Sequence, residues 1–174
     1  MAVSDLSLVT KALIGLLQQG VMISPGWNST LPVVTPFPPD KVTEDALGLY
    51  LYHVEEDAHF KNAPVPGGNS TPVRQAPMGL NLYYQLAAHN KSDSEEAVLT
   101  AQQLFGCAVK VLHDYPLVDD RTVINLHSIL ADAGLDSAGN VLRVSLQPVH
   151  SPDAVSYWTA GTGPTRLAAY YQVT

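Results

Sequence analysis

Apolar residues recur at helical spacing at Leu6, Val9, Leu13 and Leu16/Leu17, which predicts an amphipathic first helix with Ser4 as N-cap and Gly20 as its stop. Ser24 to Asp40 then holds five prolines around Leu31-Pro32-Val33-Val34. An extended passage with at most a short edge strand is expected there, its Trp27 and Phe37 covering the core. Leu47 to Val54 sets Leu47, Leu49 and Leu51 on one face and Tyr50, Tyr52 and Val54 on the other, the pattern of a central strand covered on both sides. Met78 to Ala88 repeats that alternation, so the two strands should be neighbours. More than twenty residues separate them, rich in Pro and Gly (Pro64, Pro66, Gly67, Gly68, Pro72) and opened by Glu55-Glu56-Asp57. A connection of that length in a small domain is usually a functional arm or disordered.

The clearest helix runs from about Ser94 to His113, where Ala97, Ala101, Leu104, Ala108 and Val111 form a stripe widened by Val98, Phe105, Val109 and Leu112. Ser92 with Glu95 offers a capping box, Lys110 and His113 suit the negative end of the dipole, and Pro116 forbids continuation. Asp119 or Asp120 is expected to cap a shorter helix through Val123, Leu126, His127 and Leu130, ended by Gly134. After a turn at Asp136 to Asn140, Val141 to Val149 alternates Leu142, Val144 and Leu146 with Arg143, Ser145 and Gln147, as a half-covered strand does. Ser151-Pro152-Asp153 resembles the start of a short helix carrying Val155, Tyr157 and Trp158, and Arg166 to Thr174 reads as a last strand. The order α–β–β–β–α–α–β–α–β predicts an α+β fold: a mixed or antiparallel sheet of about four to five strands with helices packed on it. The chain of 174 residues is expected to be one domain over 1–174, with a long arm at about 55–76.

Composition sharpens this picture through charge. Only 14% of the residues are charged, against roughly 25% in an ordinary soluble domain. The net charge of −7 argues against nucleic acid as a partner, because phosphate neutralisation needs clustered cations. From Val141 to Thr174 only Arg143, Asp153 and Arg166 are charged. Either these strands lie at the centre of the fold, or part of their surface faces other protein subunits, as charge depletion at interface cores implies; the second reading is preferred. The uncharged stretch from Ala12 to Pro39 is no membrane span, since Gln18, Gln19, Gly20 and the prolines interrupt it. Asp5 and a lone Lys11 make a poor secretory leader, so a soluble chain made in the cytoplasm is expected.

Candidate chemistry is sparse. Cys107, the one cysteine, excludes an internal disulfide and a thiolate zinc site. His53, His59, His89, His113, His127 and His150 include no pair at i, i+4 spacing, so no metal site is expected. His150, Ser151 and Asp153 supply the residue types of a hydrolytic triad without nucleophile-elbow glycines, and a helix cap is the better reading of Ser151. Gly161-Thr162-Gly163-Pro164-Thr165 lacks the lysine of a phosphate loop, and no cofactor is expected.

Four stretches together resemble the tail-terminator, or cap, proteins of contractile injection systems, phage-tail-like particles with an inner tube inside a contractile sheath. They are Leu49-Tyr50-Leu51-Tyr52-His53-Val54 followed by Asn62 and Pro64; Arg74 and Pro77 leading into Leu80-Asn81-Leu82-Tyr83-Tyr84-Gln85-Leu86; Gln103-Leu104-Phe105-Gly106 through Leu112-His113-Asp114-Tyr115-Pro116-Leu117; and Ser156-Tyr157-Trp158 with Arg166 to Val173. Their order and spacing carry the resemblance over nearly the whole chain. It implies a structural protein without enzyme activity: a homo-oligomeric ring of six copies, seated on the last layer of inner tube protein and sheath protein at the end away from the baseplate. It also implies assembly in a bacterial cytoplasm, as part of a particle that is released or membrane-anchored. The arm from Phe60 to Arg74 and the last strand are expected to make the subunit or tube contacts, through Phe60, Asn62, Pro64, Arg74, Arg166, Tyr170 and Gln172. Two rivals remain: a small hydrolase using Ser151 and His150, and a monomeric module that binds an extended peptide at a sheet edge.

Overall fold

A computed structural model describes residues 5–28, 30–57, 79–135, 139–148 and 167–174. Its first element, α1 (Leu6–Met22), buries Val9, Ala12, Leu13, Leu16, Leu17 and Val21, the stripe expected from the periodicity. Both expected ends move. Asp5 is the N-cap, its carboxylate accepting from the Ser7 N–H at 2.9 Å, and these Ser7 bonds hold its pKa below the usual value. Gly20 is not the stop: the helix runs on to Met22, and the Ser24 hydroxyl donates to the Gly20 carbonyl at 2.8 Å to close the last turn. Gly20 serves packing instead, because a Cβ there would stand 2.6 Å from a methyl of Val111 on the neighbouring helix.

The extended passage contributes β1 (Val34–Thr35), a two-residue strand parallel to the start of β2 (Ala46–Glu56), and a 3₁₀ turn at Pro39–Lys41. Trp27 packs on the core as expected. Phe37 does not and is 58% exposed. Its backbone is held instead: the Phe37 N–H donates to the Thr35 hydroxyl, and its carbonyl oxygen would stand 3.7 Å from a Cβ on Gly48. β2 pairs antiparallel along its length with β3 (Leu80–His89), so the two strands are neighbours. β2 is not central, however. It is next to the edge, buried from Ala46 to Leu49 and exposed from His53 to Glu56, with a bulge at Tyr52.

Among the described residues the sheet has six strands, more than expected, in the order β1-β2-β3-β8-β7-β4, with β4 (Leu117–Val118), β7 (Leu142–Gln147) and β8 (Ala168–Val173) all antiparallel to their neighbours. The added strand is β4, a two-residue piece at the edge, too short to leave a periodic signature, whereas β1 is the short edge strand expected in the proline-rich passage. The sheet is therefore mixed, as expected. The main helix, α2 (Glu95–Asp114), begins two residues later than the predicted cap: the Ser94 hydroxyl accepts from the Ala97 N–H, while Ser92 accepts from the Ser94 N–H. Lys110 pairs with Asp114 in its last turn. Its burial begins at Leu104, and Val98, placed on the expected stripe, is exposed.

The helix expected across Val123 to Leu130 is mostly something else. Asp119 accepts from the Arg121 N–H and the Thr122 hydroxyl, turning the chain into a hairpin of β5 (Val123–Ile124) and β6 (His127–Ser128). Only then does a single helical turn, α3 (Ile129–Asp132), form. Asn125 and Leu126 both adopt positive φ, 49° and 68°, the geometry of a two-residue hairpin turn that no helix accommodates. Gly134, at φ 83°, ends the segment as predicted.

One face of the sheet carries the core. Leu49, Leu82, Tyr84, Leu86, Val144, Tyr171 and Val173 share it, by the register of β2, β3, β8 and β7, and α1 and α2 lie on it. The Tyr84 hydroxyl reaches Thr10 of α1 at 2.9 Å and is otherwise buried, so its pKa rises through desolvation.

Candidate functional site

The opposite face is aromatic and polar. Register places Tyr50, Gln85, Tyr170 and Gln147 in one row across β2, β3, β8 and β7, and His53, Tyr83, Gln172 and Ser145 in the next. Tyr52, at the bulge, joins them through an edge-on contact with Tyr170 at 5.8 Å and a tilted one with Tyr83 at 6.4 Å. The side-chain amide of Gln85 donates to the Tyr170 hydroxyl at 3.2 Å, and that of Gln147 donates to the Gln172 side-chain oxygen Oε1 at 2.9 Å. At the open end the Tyr83 hydroxyl donates to Glu55 at 2.9 Å, which raises the tyrosine pKa, since ionising it would set two negative charges together. Phenols and amides without a cluster of charge suit contact with another protein surface, where aromatic residues concentrate and charges are depleted.

Of the residues singled out for subunit or tube contact, the structure brings two together here. Tyr170 is buried and braces the face from within, whereas Gln172 is half-buried beside Ser145 and Gln147. Phe60, Asn62, Pro64, Arg74 and Arg166 lie outside the described residues, as do Met78, the arm beyond Asp57, residues 136–138 of the expected turn, and the expected helix beginning at Ser151; at the arm's expected start Glu55 and Glu56 still belong to β2. His150 and Ser151 of the hydrolase alternative lie outside them too.

On the helix side two grooves open. One, of about 430 Å³, runs between the first half of α2 and the passage from Trp27 to Val33, with Asp45, Asn90 and Glu96 at its margins. The Asp45 carboxylate already accepts from the Lys91 N–H at 2.7 Å. The other, of about 370 Å³, lies between the second half of α2 and the β7–β8 end of the sheet, lined by Gly106, Val109, Leu112, Pro116, Val144 and Leu146. The wall of the first groove also includes His89, Ser94 and Thr100, and the Ser94 hydroxyl is already taken by the cap of α2. Cys107 is half-buried, and burial raises its thiol pKa, the opposite of activation. Among the described residues no three His, Cys, Asp or Glu converge to hold a metal ion. None of the described helices is long and apolar enough to cross a membrane.

Sequence reasoning placed Gly106 in the main helix and Leu146 on a half-covered strand without assigning either to a groove, and it set Leu126 on the stripe of a short helix, although that residue is 98% exposed. A glycine in mid-helix was a visible signal for the groove. Nothing in the periodicity distinguished Leu126 from a buried leucine.

This architecture is one that terminators of contractile injection systems share. A solved structure described as the sheath/tube terminator of an extracellular contractile injection system, PVC, in its extended state is similar with a TM-score of 0.62 and 17% identity, covering 100% of this chain and 56% of that one. The anti-feeding prophage cap, described as its tube-terminating cap, is similar with a TM-score of 0.61 and 19% identity, covering 95% of this chain and 52% of the other. The chain thus spans little more than half the length of the structures it matches. The profile of the Pvc16 N-terminal domain matches residues 8–174, from the first helix into the last strand, and the chain belongs to that family. No curated protein matches the sequence. The resemblance read from the sequence is borne out in its family and its fold.

Proposed function

We propose that this chain is a structural cap that ends the tube and sheath of a contractile injection system at the end away from the baseplate, without enzyme activity. The observation that carries the reading is the family match over residues 8–174, which runs from within α1 through β8. The similar solved structures, a sheath/tube terminator and a tube-terminating cap, support it. The physics of the role is consistent with the chain. A tube layer is a heterologous interface that keeps adding subunits, so stopping it requires a protein complementary to the last layer that offers no copy of that layer. A closed ring of six copies gives several modest contacts acting together, hence long residence without one strong site. The partners are then a second copy of the chain, the inner tube protein and the sheath protein, met during assembly in the bacterial cytoplasm before the particle is released or anchored.

Electron microscopy of particles assembled with and without the chain tests this. Loss of uniform length without it, restored when it is supplied, is the expected result; uniform particles in its absence would overturn the proposal. The arm from Phe60 to Arg74 and the last strand, with Arg166 and Gln172, are assigned the contacts between neighbours or to the tube, and Tyr170, buried in the single copy, supports that face from within. Deleting Pro64 to Pro72 is expected to abolish ring formation or docking while native mass and circular dichroism show a folded monomer.

A further inference from the structure

The groove beside Trp27 carries a negative charge that the fold of one copy leaves unanswered. Asp45, just before β2, and Glu96, in the first turn of α2, reach its margins from different elements. Glu44, Asp93 and Glu95 adjoin them in the chain, against Lys91 as the one fixed cation of these two stretches. Acids in a first turn suit the helix dipole, but Asp45 lies outside that helix and lines the same groove. Among the described residues neither Asp45 nor Glu96 is in an ion pair, and Asp45 accepts only the neutral Lys91 N–H, at 2.7 Å. Between these margins the groove is apolar and firm. The Trp27 indole N–H is fixed on the Thr30 carbonyl at 2.8 Å, buried Leu104 lines the groove, and Leu31 and Val33 stay exposed beside it.

The complementary charge stands together in the sequence. From Ala58 to Asn90 the chain, acidic elsewhere, has no Asp or Glu, and residues 58–78 carry Lys61 and Arg74 among Pro64, Pro66, Pro72 and Pro77. Their point of departure is fixed: the Asp57 N–H donates to the Gly79 carbonyl at 2.9 Å at the tip of the β2–β3 hairpin. The groove lies at the other end of that hairpin, where Asp45 precedes β2 and Asn90 follows β3, about 33 Å away along the strand. A segment of 21 residues held at both ends reaches at most about 35 Å. Its own groove is thus within reach only at full extension back along its own sheet, a limit that the groove of another copy does not impose. We infer that residues 58–78 of one copy dock in this groove on the next copy, setting Lys61 and Arg74 against Asp45 and Glu96. Proline-rich chain suits an aromatic-walled groove, because its φ is already fixed and it has fewer N–H groups to bury unpaired. The inference deepens the ring reading and rests on it: arm and groove are different surfaces, so their contact is heterologous and repeats until a ring closes.

Charge reversal in the full chain tests the contact from both sides. One variant carries Asp45→Lys with Glu96→Lys, both at exposed positions of the groove; the other carries Lys61→Glu with Arg74→Glu in the arm. Circular dichroism checks that each monomer is folded. By native mass spectrometry at low ionic strength, each alone is expected to associate roughly 10- to 100-fold more weakly per contact than the wild type. Mixing the two is expected to restore assembly with the chains alternating, since each reversed arm then meets a reversed groove and each native arm a native groove; isotope labelling of one variant distinguishes mixed from like assemblies. Variants that assemble as the wild type does, or folded variants that stay apart when mixed, overturn this docking, and a ring that still forms in the wild type leaves the cap reading standing. A chain with all four substitutions that recovers assembly where the mixture does not would put the arm in its own groove, which also overturns the inference. A wild-type chain that stays monomeric at every concentration overturns the ring and the contact together.

Discussion

Single positions in this protein show how the same residue type serves opposite ends. Gly20 and Gly106 both lie inside helices, and each costs helix propensity of about 1 kcal/mol relative to alanine. Gly20 is there because Val111 presses on it, so Gly20→Ala is expected to lower stability by up to about 2 kcal/mol, the overpacking penalty outweighing the propensity gain. Urea denaturation reads this, and Val111→Ala in the same chain should recover part of the loss. Tyr171 offers a second check. Burial pushes its pKa up to about 12, from about 10 in an unfolded chain. Between those values the unfolded state has lost the proton that the folded state keeps, so stability is full below about pH 10 and falls as the pH climbs toward 12. Tyr171→Phe should flatten that alkaline decline in denaturation midpoints; an unchanged slope would show that the buried phenol is not its source.

At the scale of elements, the long periodic segments were readable and the short ones were not. Burial follows the stripe of α1 throughout and that of α2 from Leu104 onward, and β2 and β3 run ten or more residues, so their existence and pairing were legible although burial along β2 changes from end to end and not from face to face. The hairpin at Val123 to Ser128 defeated that method, because Val123, Leu126 and Leu130 mimic a helical stripe while Asn125 and Leu126 take positive φ. The strain is testable apart from assembly. Leu126→Gly should relieve the left-handed penalty and raise the monomer's stability by about 1 kcal/mol, measured by denaturant titration.

For the whole molecule, the sequence by itself determined the α+β class, the two principal helices, the pairing partners β2 and β3, and the resemblance to terminators, which the family match bears out. It also marked the scarcity of charge. These properties follow from periodicity, capping and composition, which are local or additive along the chain. Tertiary structure decided what depends on residues distant in sequence. It set the order of strands that puts β2 beside the edge, and it put Phe37 in solvent while holding its backbone on Thr35. It gathered Tyr50, Gln85, Tyr170 and Gln147 into one row from four strands. It also put Leu126 in solvent and left a groove at Gly106, because whether an apolar side chain is buried depends on what the rest of the fold sets against it, and no local pattern records that.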